Sequence, residues 1–354
     1  MREKNEMERL NQTHDAPVAP TLPASCRHAH LHRPQLLGVG AVLLLLSATQ
    51  GGALAAPNRQ ARQAAHANGA RTWHVGIGTD SLDHAIMVMG YLLGDLYIDV
   101  GDTVVWTSRS MQMHTVTFEQ RGVEPPPYSP GVVPETGGPH YDGVSYTSSG
   151  PMTARPRSYY VDSTTPTYML TFVKPGSFTY VDMLYHSLTG RIHVRPAGTP
   201  YPLTQAQVDA AAAQQVAASM AEGRALAARA THESNNHQVT LGMGNGHVSV
   251  NRFFPVHIVV HVGDIVTFTN RDPINTHTVT FDSAQESDPT VQTQSSPARF
   301  DGTPLASGLL GRAQQYGPNY ATSYKVQFVK AGHFTVYCAL NDDLGMRATV
   351  DVLR

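Results

Sequence analysis

Three segments of this chain occur twice, in the same order, and the repeat governs what the chain can fold into. Val100-Gly101-Asp102-Thr103-Val104-Val105-Trp106-Thr107 returns as Val262-Gly263-Asp264-Ile265-Val266-Thr267-Phe268-Thr269. His114-Thr115-Val116-Thr117-Phe118 is repeated unchanged from His277 to Phe281. The stretch from Tyr168 through Gly176 and Phe178 to Thr179 matches Tyr324 through Gly332 and Phe334 to Thr335. The offsets are 162, 163 and 156 residues, so the order is kept with small gaps. Units this long are duplicated domains; a solenoid would have a shorter period. At 354 residues the chain has room for two domains of ordinary size.

Each unit reads as short strands rich in Val, Thr, Phe and Tyr, separated by Gly, Pro, Asn and Asp. Ile258, Val260 and Val262 alternate with His257, Val259 and His261, and Val326 and Phe328 with Lys325 and Gln327. The alternation predicts an all-β chain built as two-sheet sandwiches. Long Pro/Gly/Ser-rich insertions interrupt the units at about 120–165 and 283–320. Between the units, Thr204 to Arg229 is rich in Ala and Gln, with Thr204-Gln205-Ala206-Gln207 as a capping box, and reads as a linker helix. Gly223 and the uniform Ala surface leave that helix weakly amphipathic. The expected organisation is 1–55 as an export signal, 72–196 as the first unit, 197–235 as the helical linker and 236–354 as the second unit.

The N-terminus supports export. Residues 36–48 form a 13-residue apolar run behind Arg27 and Arg33, followed by the small residues Ala53-Leu54-Ala55. A membrane-spanning helix needs about 20 apolar residues, so the expected product has no span once the signal is cut. A signal anchor left uncut is the other reading. Removal of residues 1–55 leaves 20 basic and 23 acidic residues, net −3, with no basic stripe to bind nucleic acid. The expected location is periplasmic, cell-surface or extracellular.

Cleavage after Ala55 also removes Cys26 and leaves Cys338 without a disulfide partner in an oxidising compartment. A metal ligand explains such a thiol; an inert, buried small hydrophobe is the plain alternative. Met346 follows Cys338 at +8, and His277 lies some sixty residues upstream. Thiolate, imidazole and thioether together favour copper over zinc or magnesium.

These motifs resemble the cupredoxin (plastocyanin-like, blue copper) family across nearly all of both units. Val-Gly-Asp, a His-Thr-Val-Thr-Phe strand, then Phe-x-x-x-Gly-x-Phe-x-x-Tyr-Cys and a Met carry the likeness. The resemblance implies two tandem Greek-key β-sandwiches. It also implies a mononuclear type 1 copper site with His277 as the upstream imidazole, Cys338 as the thiolate and Met346 as the axial thioether. Asn341 stands where the family has its loop histidine, and a carboxamide there is a weaker donor. His333 should point away from Cys338, and His257 and His261 lie about 13 Å apart along a strand, so none of them fills the gap. Asp342 and Asp343 read as solvated loop carboxylates.

In the first unit the same alignment puts Asp182 at the Cys position, Tyr185 at the loop-His position and His186 next to it, and a shorter ligand loop with the axial residue at +6 would put Leu188 at the axial position. His114 alone persists. His114, His186 and Asp182 could form a type 2-like copper or zinc site, or stand as separately satisfied side chains. Met87, Met89, Met111, Met113 and Met183 are scattered through this unit, where packing is their default role.

Three functions follow as expectations. The first is an exported copper-binding electron-transfer protein with an unidentified redox partner, and no catalysis of its own. The second is a copper carrier or storage protein serving a copper donor or acceptor, or a metal-free binding module. The third is a two-domain copper oxidase or nitrite-reductase-like enzyme. The third needs extra histidines, but the mature chain has no His-x-His and Cys338 lies between Tyr337 and Ala339.

Overall fold

A computed structural model describes residues 69–120, 135–155, 165–281, 297–311 and 321–354. The expected export signal and parts of both insertions lie outside the described residues. The described chain is mostly β-sheet with one long helix.

Residues 72–195 supply β1 Thr72–Asp80, β2 Ile86–Leu92, β3 Asp95–Asp99, β4 Thr103–Ser108 and β5 Thr117–Phe118. They continue with β6 His140–Tyr141, β7 Thr147–Ser148, β8 Thr167–Phe172, β9 Gly176–Val181 and β10 Thr189–Arg195. Helix α1, Gln205–Glu233, follows. The second set opens with β11 Gln238–Gly244, β12 Val248–Phe254, β13 His257–His261, β14 Ile265–Arg271 and β15 Thr280–Phe281. It closes with β16 Ala298–Phe300, β17 Leu305–Ala306, β18 Ser323–Phe328, β19 Gly332–Tyr337 and β20 Arg347–Leu353.

The alternation seen in the sequence is the alternation of burial. In β13, Ile258 and Val260 are buried while His257 and His261 are exposed. In β18, Tyr324, Val326 and Phe328 face in. Each half has its own core. Trp106, Phe118 and Tyr180 sit at the centre of the first, and Phe268, Phe281 and Phe328 at the centre of the second. The repeated Val-Gly-Asp is a turn after a strand, with Gly101 and Gly263 at φ +96° and +102°, a region that disfavours any residue with a Cβ. Asp102 then holds its turn from inside, accepting from the Arg71 and Asp99 backbone N–H groups and from the Trp73 indole.

The sheet arrangement differs from two separate sandwiches tethered by a helix. One five-stranded sheet belongs to each half, in the orders β3-β10-β9-β5-β7 and β13-β20-β19-β15-β17. The other sheet is shared and runs β16-β18-β14-β11-β12-β2-β1-β4-β8-β6. Its two halves meet where β12 pairs antiparallel with β2: Val248 opposite Val88, Ser249 opposite Met87 and Val250 opposite Ile86. At an offset of 162 residues this register maps onto itself, as in an isologous dimer contact built into one chain.

α1 lies over this seam. Leu226 and Ala230 bury against Met243, Val248, Val250 and Phe254, with Ile86 packed alongside. The expected capping box forms, with Thr204 Oγ1 accepting from the Gln207 N–H and the Gln207 side chain returning to the Thr204 N–H. Gly223, which weakens the sequence pattern, is where the helix comes close to Ile86 and Val248 of the sheet. A Cβ there would lie 2.2 Å from Ile86 Cγ2. Among the described residues no helix is long and apolar enough to cross a membrane.

Candidate metal centre

The second-half site is assembled from three places in the chain. His277 is held just before β15 by a two-way backbone bridge to Leu310. Cys338 follows directly on β19, and the Thr278 hydroxyl ties the two segments by accepting from the Ala339 N–H at 2.7 Å. After Cys338 the chain makes one 3₁₀ turn, Asp342–Leu344, and reverses at Gly345, which is left-handed at φ +82°. That reversal lets the Cys338 N–H reach the Met346 carbonyl at 3.1 Å, closing the loop at its neck. The +3 and +8 spacing is thus the length of one short turn between two paired strands.

All four expected residues of this half are buried, and His277, Cys338 and Asn341 bring their side chains together. His277 and Cys338 are fully buried, Met346 is 1% exposed and Asn341 3%. Cys338 Sγ lies 3.7 Å from His277 Nδ1. Asn341 Nδ2 lies 3.5 Å from the same nitrogen and 3.7 Å from the sulfur. Burial holds the His277 imidazole neutral, with its pKa lowered to about 3. Its Nδ1 lies toward the Asn341 amide and the Cys338 sulfur, and among the described residues its Nε2 has no hydrogen-bond partner. Burial pushes the Cys338 thiol up, while the backbone N–H groups of Thr278, Leu340 and Asn341 and the Asn341 side chain pull it back toward thiolate.

These donors can be tested against a metal. Bonds of about 2.0 Å to nitrogen and 2.3 Å to sulfur, meeting at a trigonal to tetrahedral angle, set the two donors about 3.5–3.7 Å apart. The observed 3.7 Å between Nδ1 and Sγ fits that separation. Among the described residues no group of three or more His, Cys, Asp or Glu side chains is placed to hold a metal ion. A metal held here would have to rely on His277 and Cys338, with the buried Met346 thioether as a further soft donor, a set suited to copper. Asn341 turns its NH₂ inward, and a donor group cannot ligate a cation in that orientation.

Sequence reasoning missed three contributors. Gly242, at φ +76° in a bulge of β11, lies under the imidazole; a Cβ there would stand 2.3 Å from His277 Nε2. Its counterpart Gly78 lies 3.0 Å by the same measure from His114 Nε2, so the recurrence of a glycine near the start of each unit was the available signal. Gln112 and Arg155 come from the first half. Gln112 Nε2 donates to Asn341 Oδ1 at 3.4 Å. Arg155 pairs with Asp343, with Nε 3.0 Å from Oδ2, and its Nη2 donates to the Leu340 carbonyl at 3.5 Å. The first half thus closes over the loop between Cys338 and Met346; Asp343 stays largely exposed, as expected of a solvated carboxylate, while pairing with Arg155, and Asp342 pairs with Arg347.

The first-half position has the same frame and a different filling. Asp182 N–H reaches the Leu188 carbonyl at 3.0 Å, the counterpart of the Cys338–Met346 closure. His114 Nδ1 lies 2.7 Å from Asp182 Oδ2, and both side chains are buried. That is a direct hydrogen bond; nitrogen and oxygen sharing one metal would stand about 3.3–3.7 Å apart. Tyr185 takes the inward place beside His114, with ring centroids 5.7 Å apart, and His186 is exposed. The three-residue cluster expected from His114, His186 and Asp182 is therefore a buried pair with His186 outside it, because Tyr185 occupies the one inward position. In the second half, His257 and His333 both meet Asp351 at the surface, and His261 lies by Asp264, away from the interior site.

No protein-family model and no curated protein matches the sequence. Among solved structures the chain is similar to several amicyanin variants. One in the Cu(I) form is 22% identical, covering 35% of this chain and 82% of that one, with a TM-score of 0.23. A reduced Cu(I) form at pH 4 is also 22% identical, covering 36% and 85% at a TM-score of 0.23. A reduced tryptophan-to-tyrosine variant is 19% identical, covering 37% and 89%, again at 0.23. Nothing about this chain's chemistry follows from a likeness at that level.

Proposed function

We propose that this chain is an exported copper-binding protein of cupredoxin type that transfers electrons through a variant mononuclear site in its second half. One observation supports the reading above the others: an imidazole nitrogen and a cysteine sulfur face each other at 3.7 Å in a buried interior. Copper held there would supply one-electron exchange between Cu(I) and Cu(II). His277 offers a nitrogen that burial keeps unprotonated, Cys338 an electron-rich sulfur steadied by N–H donors, and Met346 a thioether. The backbone closures fix all three before any ion arrives, which keeps reorganisation small.

Burial also weighs against the other readings. Handing copper to a carrier's partner, or admitting a substrate, requires direct contact with the metal. Outer-sphere electron exchange does not. With every candidate ligand 3% exposed or less, electron transfer to a redox partner is the reading that the closed site serves. An export signal at residues 1–55 would put that partner in the periplasm, at the cell surface or outside the cell.

The test is to load the purified chain with Cu(II) and record visible absorption, electron paramagnetic resonance and a redox titration. An intense sulfur-to-copper charge-transfer band that bleaches reversibly on reduction is expected. Stoichiometric Cu(I) binding without that band would favour a carrier. No copper binding, with Cys338 alkylated only on unfolding, would leave a metal-free module.

A further inference from the structure

Asn341 has two chemically opposite ends, and the structure shows what each one faces. Its NH₂ points inward to His277 Nδ1 and Cys338 Sγ, and its oxygen points outward to the Gln112 amide at 3.4 Å. In the metal-free site both inner partners are acceptors, so an inward NH₂ is satisfied. A cation between them reverses that preference and requires an inward oxygen. Rotation by half a turn about the terminal torsion exchanges the two ends, and torsions of this sp³–sp² kind are broad and roughly two-fold.

The outer partner decides whether this rotation is permitted. Gln112 is itself an amide, so it can donate to an outward oxygen or, rotated likewise, accept from an outward NH₂. Its backbone is firmly mounted: the Gln112 N–H donates to Ser110 Oγ at 3.1 Å, and Ser110 Oγ donates to Asp80 Oδ1 at 2.7 Å. Asp80 also accepts from the Met111 N–H at 2.8 Å. The first half therefore presents a fixed stem with a reversible tip to the one weak position of the second-half site.

We propose that Gln112 and Asn341 form a coupled amide switch that turns position 341 from an inward donor in the metal-free site to an inward oxygen ligand when copper is bound. This rests on the copper reading above. It also gives the first half a task, as the provider of the residue that sets the fourth ligand of the second.

The test is to compare Gln112→Glu with Gln112→Lys in the full chain. Glutamate can only accept and should hold the Asn341 NH₂ outward; lysine can only donate and should hold it inward. A net hydrogen bond of about 1 kcal/mol corresponds to roughly five- to tenfold in binding. Cu(I) competition titrations should show tighter binding of about that size in the glutamate variant and weaker binding in the lysine variant. Added charge shifts affinity in the same directions, so the deciding readout is made without metal. The ¹⁵N side-chain resonances of Asn341 should move in metal-free Gln112→Glu and stay near wild type in Gln112→Lys. Unchanged Asn341 resonances in metal-free Gln112→Glu overturn the coupling whatever the affinities do. If they move as expected but no form binds copper, the amide coupling stands and the copper reading falls. If Gln112→Lys fails to fold, the glutamate variant alone decides.

Discussion

At the residue scale, the site depends on groups placed for reasons other than their own reactivity. Gly242 is the clearest, since a methyl there would stand 2.3 Å from His277 Nε2 at a φ of +76°. Gly242→Ala should cost about 2 kcal/mol or more in denaturant unfolding and lower copper affinity by displacing the imidazole. Equal stability of the two proteins would show that the imidazole seat is elsewhere. Asn341 lies 3.5 Å from His277 Nδ1 and 3.7 Å from Cys338 Sγ, so the residue at 341 faces both donors. Asn341→His should tighten Cu(II) binding and strengthen the charge-transfer band, an outcome read directly in the visible spectrum. An unchanged band would mean that position 341 does not meet the metal.

At the element scale, α1 joins the halves by packing as well as by connection. Gly223→Ala sets two effects against each other. Helix propensity favours alanine by about 1 kcal/mol. The new Cβ would meet Ile86 Cγ2 at 2.2 Å and Val248 Cγ1 at 3.1 Å, and overpacking of that kind costs about 1–3 kcal/mol. The clash should win, lowering the thermal midpoint; a raised midpoint would show that the helix can lift from the seam at no cost. The strands and the helix were legible in the sequence because alternation and a capping box are local signals. The function of Gly223 was not, because a close approach depends on what lies opposite.

At the scale of the whole molecule, the response to high pH should start in the first half. Burial pushes Tyr141 up to about 12, and Tyr91, Tyr168 and Tyr180 are raised by the same cause, all within the first core. A phenol whose folded pKa lies above its unfolded value of about 10 contributes its full stability below pH 10, and that contribution is lost as pH rises through the folded value. Phenolate absorbance should therefore lag behind free tyrosine above pH 10 and rise together with loss of first-half structure. Ionisation at pH 10 with the fold intact would contradict this burial. Because β2 and β12 share one sheet, the second half should follow the first, and Arg155→Ala should loosen the closed loop. Its expected sign is faster alkylation of Cys338 in the native protein, measured with a thiol reagent.

Much of this protein was readable from its order of residues alone. The duplication, the alternating strands and the capped helix rest on spacings within a short stretch or on a direct match between two stretches, and the set His277, Cys338, Asn341 and Met346 rests on the resemblance of those stretches to cupredoxin motifs. The shared ten-stranded sheet, the collapse of the first-half position to a His114–Asp182 pair, the glycine under His277 and the inward turn of the Asn341 amide emerged only in three dimensions. Each depends on a contact between residues far apart in the chain, Gln112 and Asn341 being 229 positions apart. Local spacing specifies which groups a loop can offer. What stands opposite them, and so which end of an amide faces in, is settled by packing.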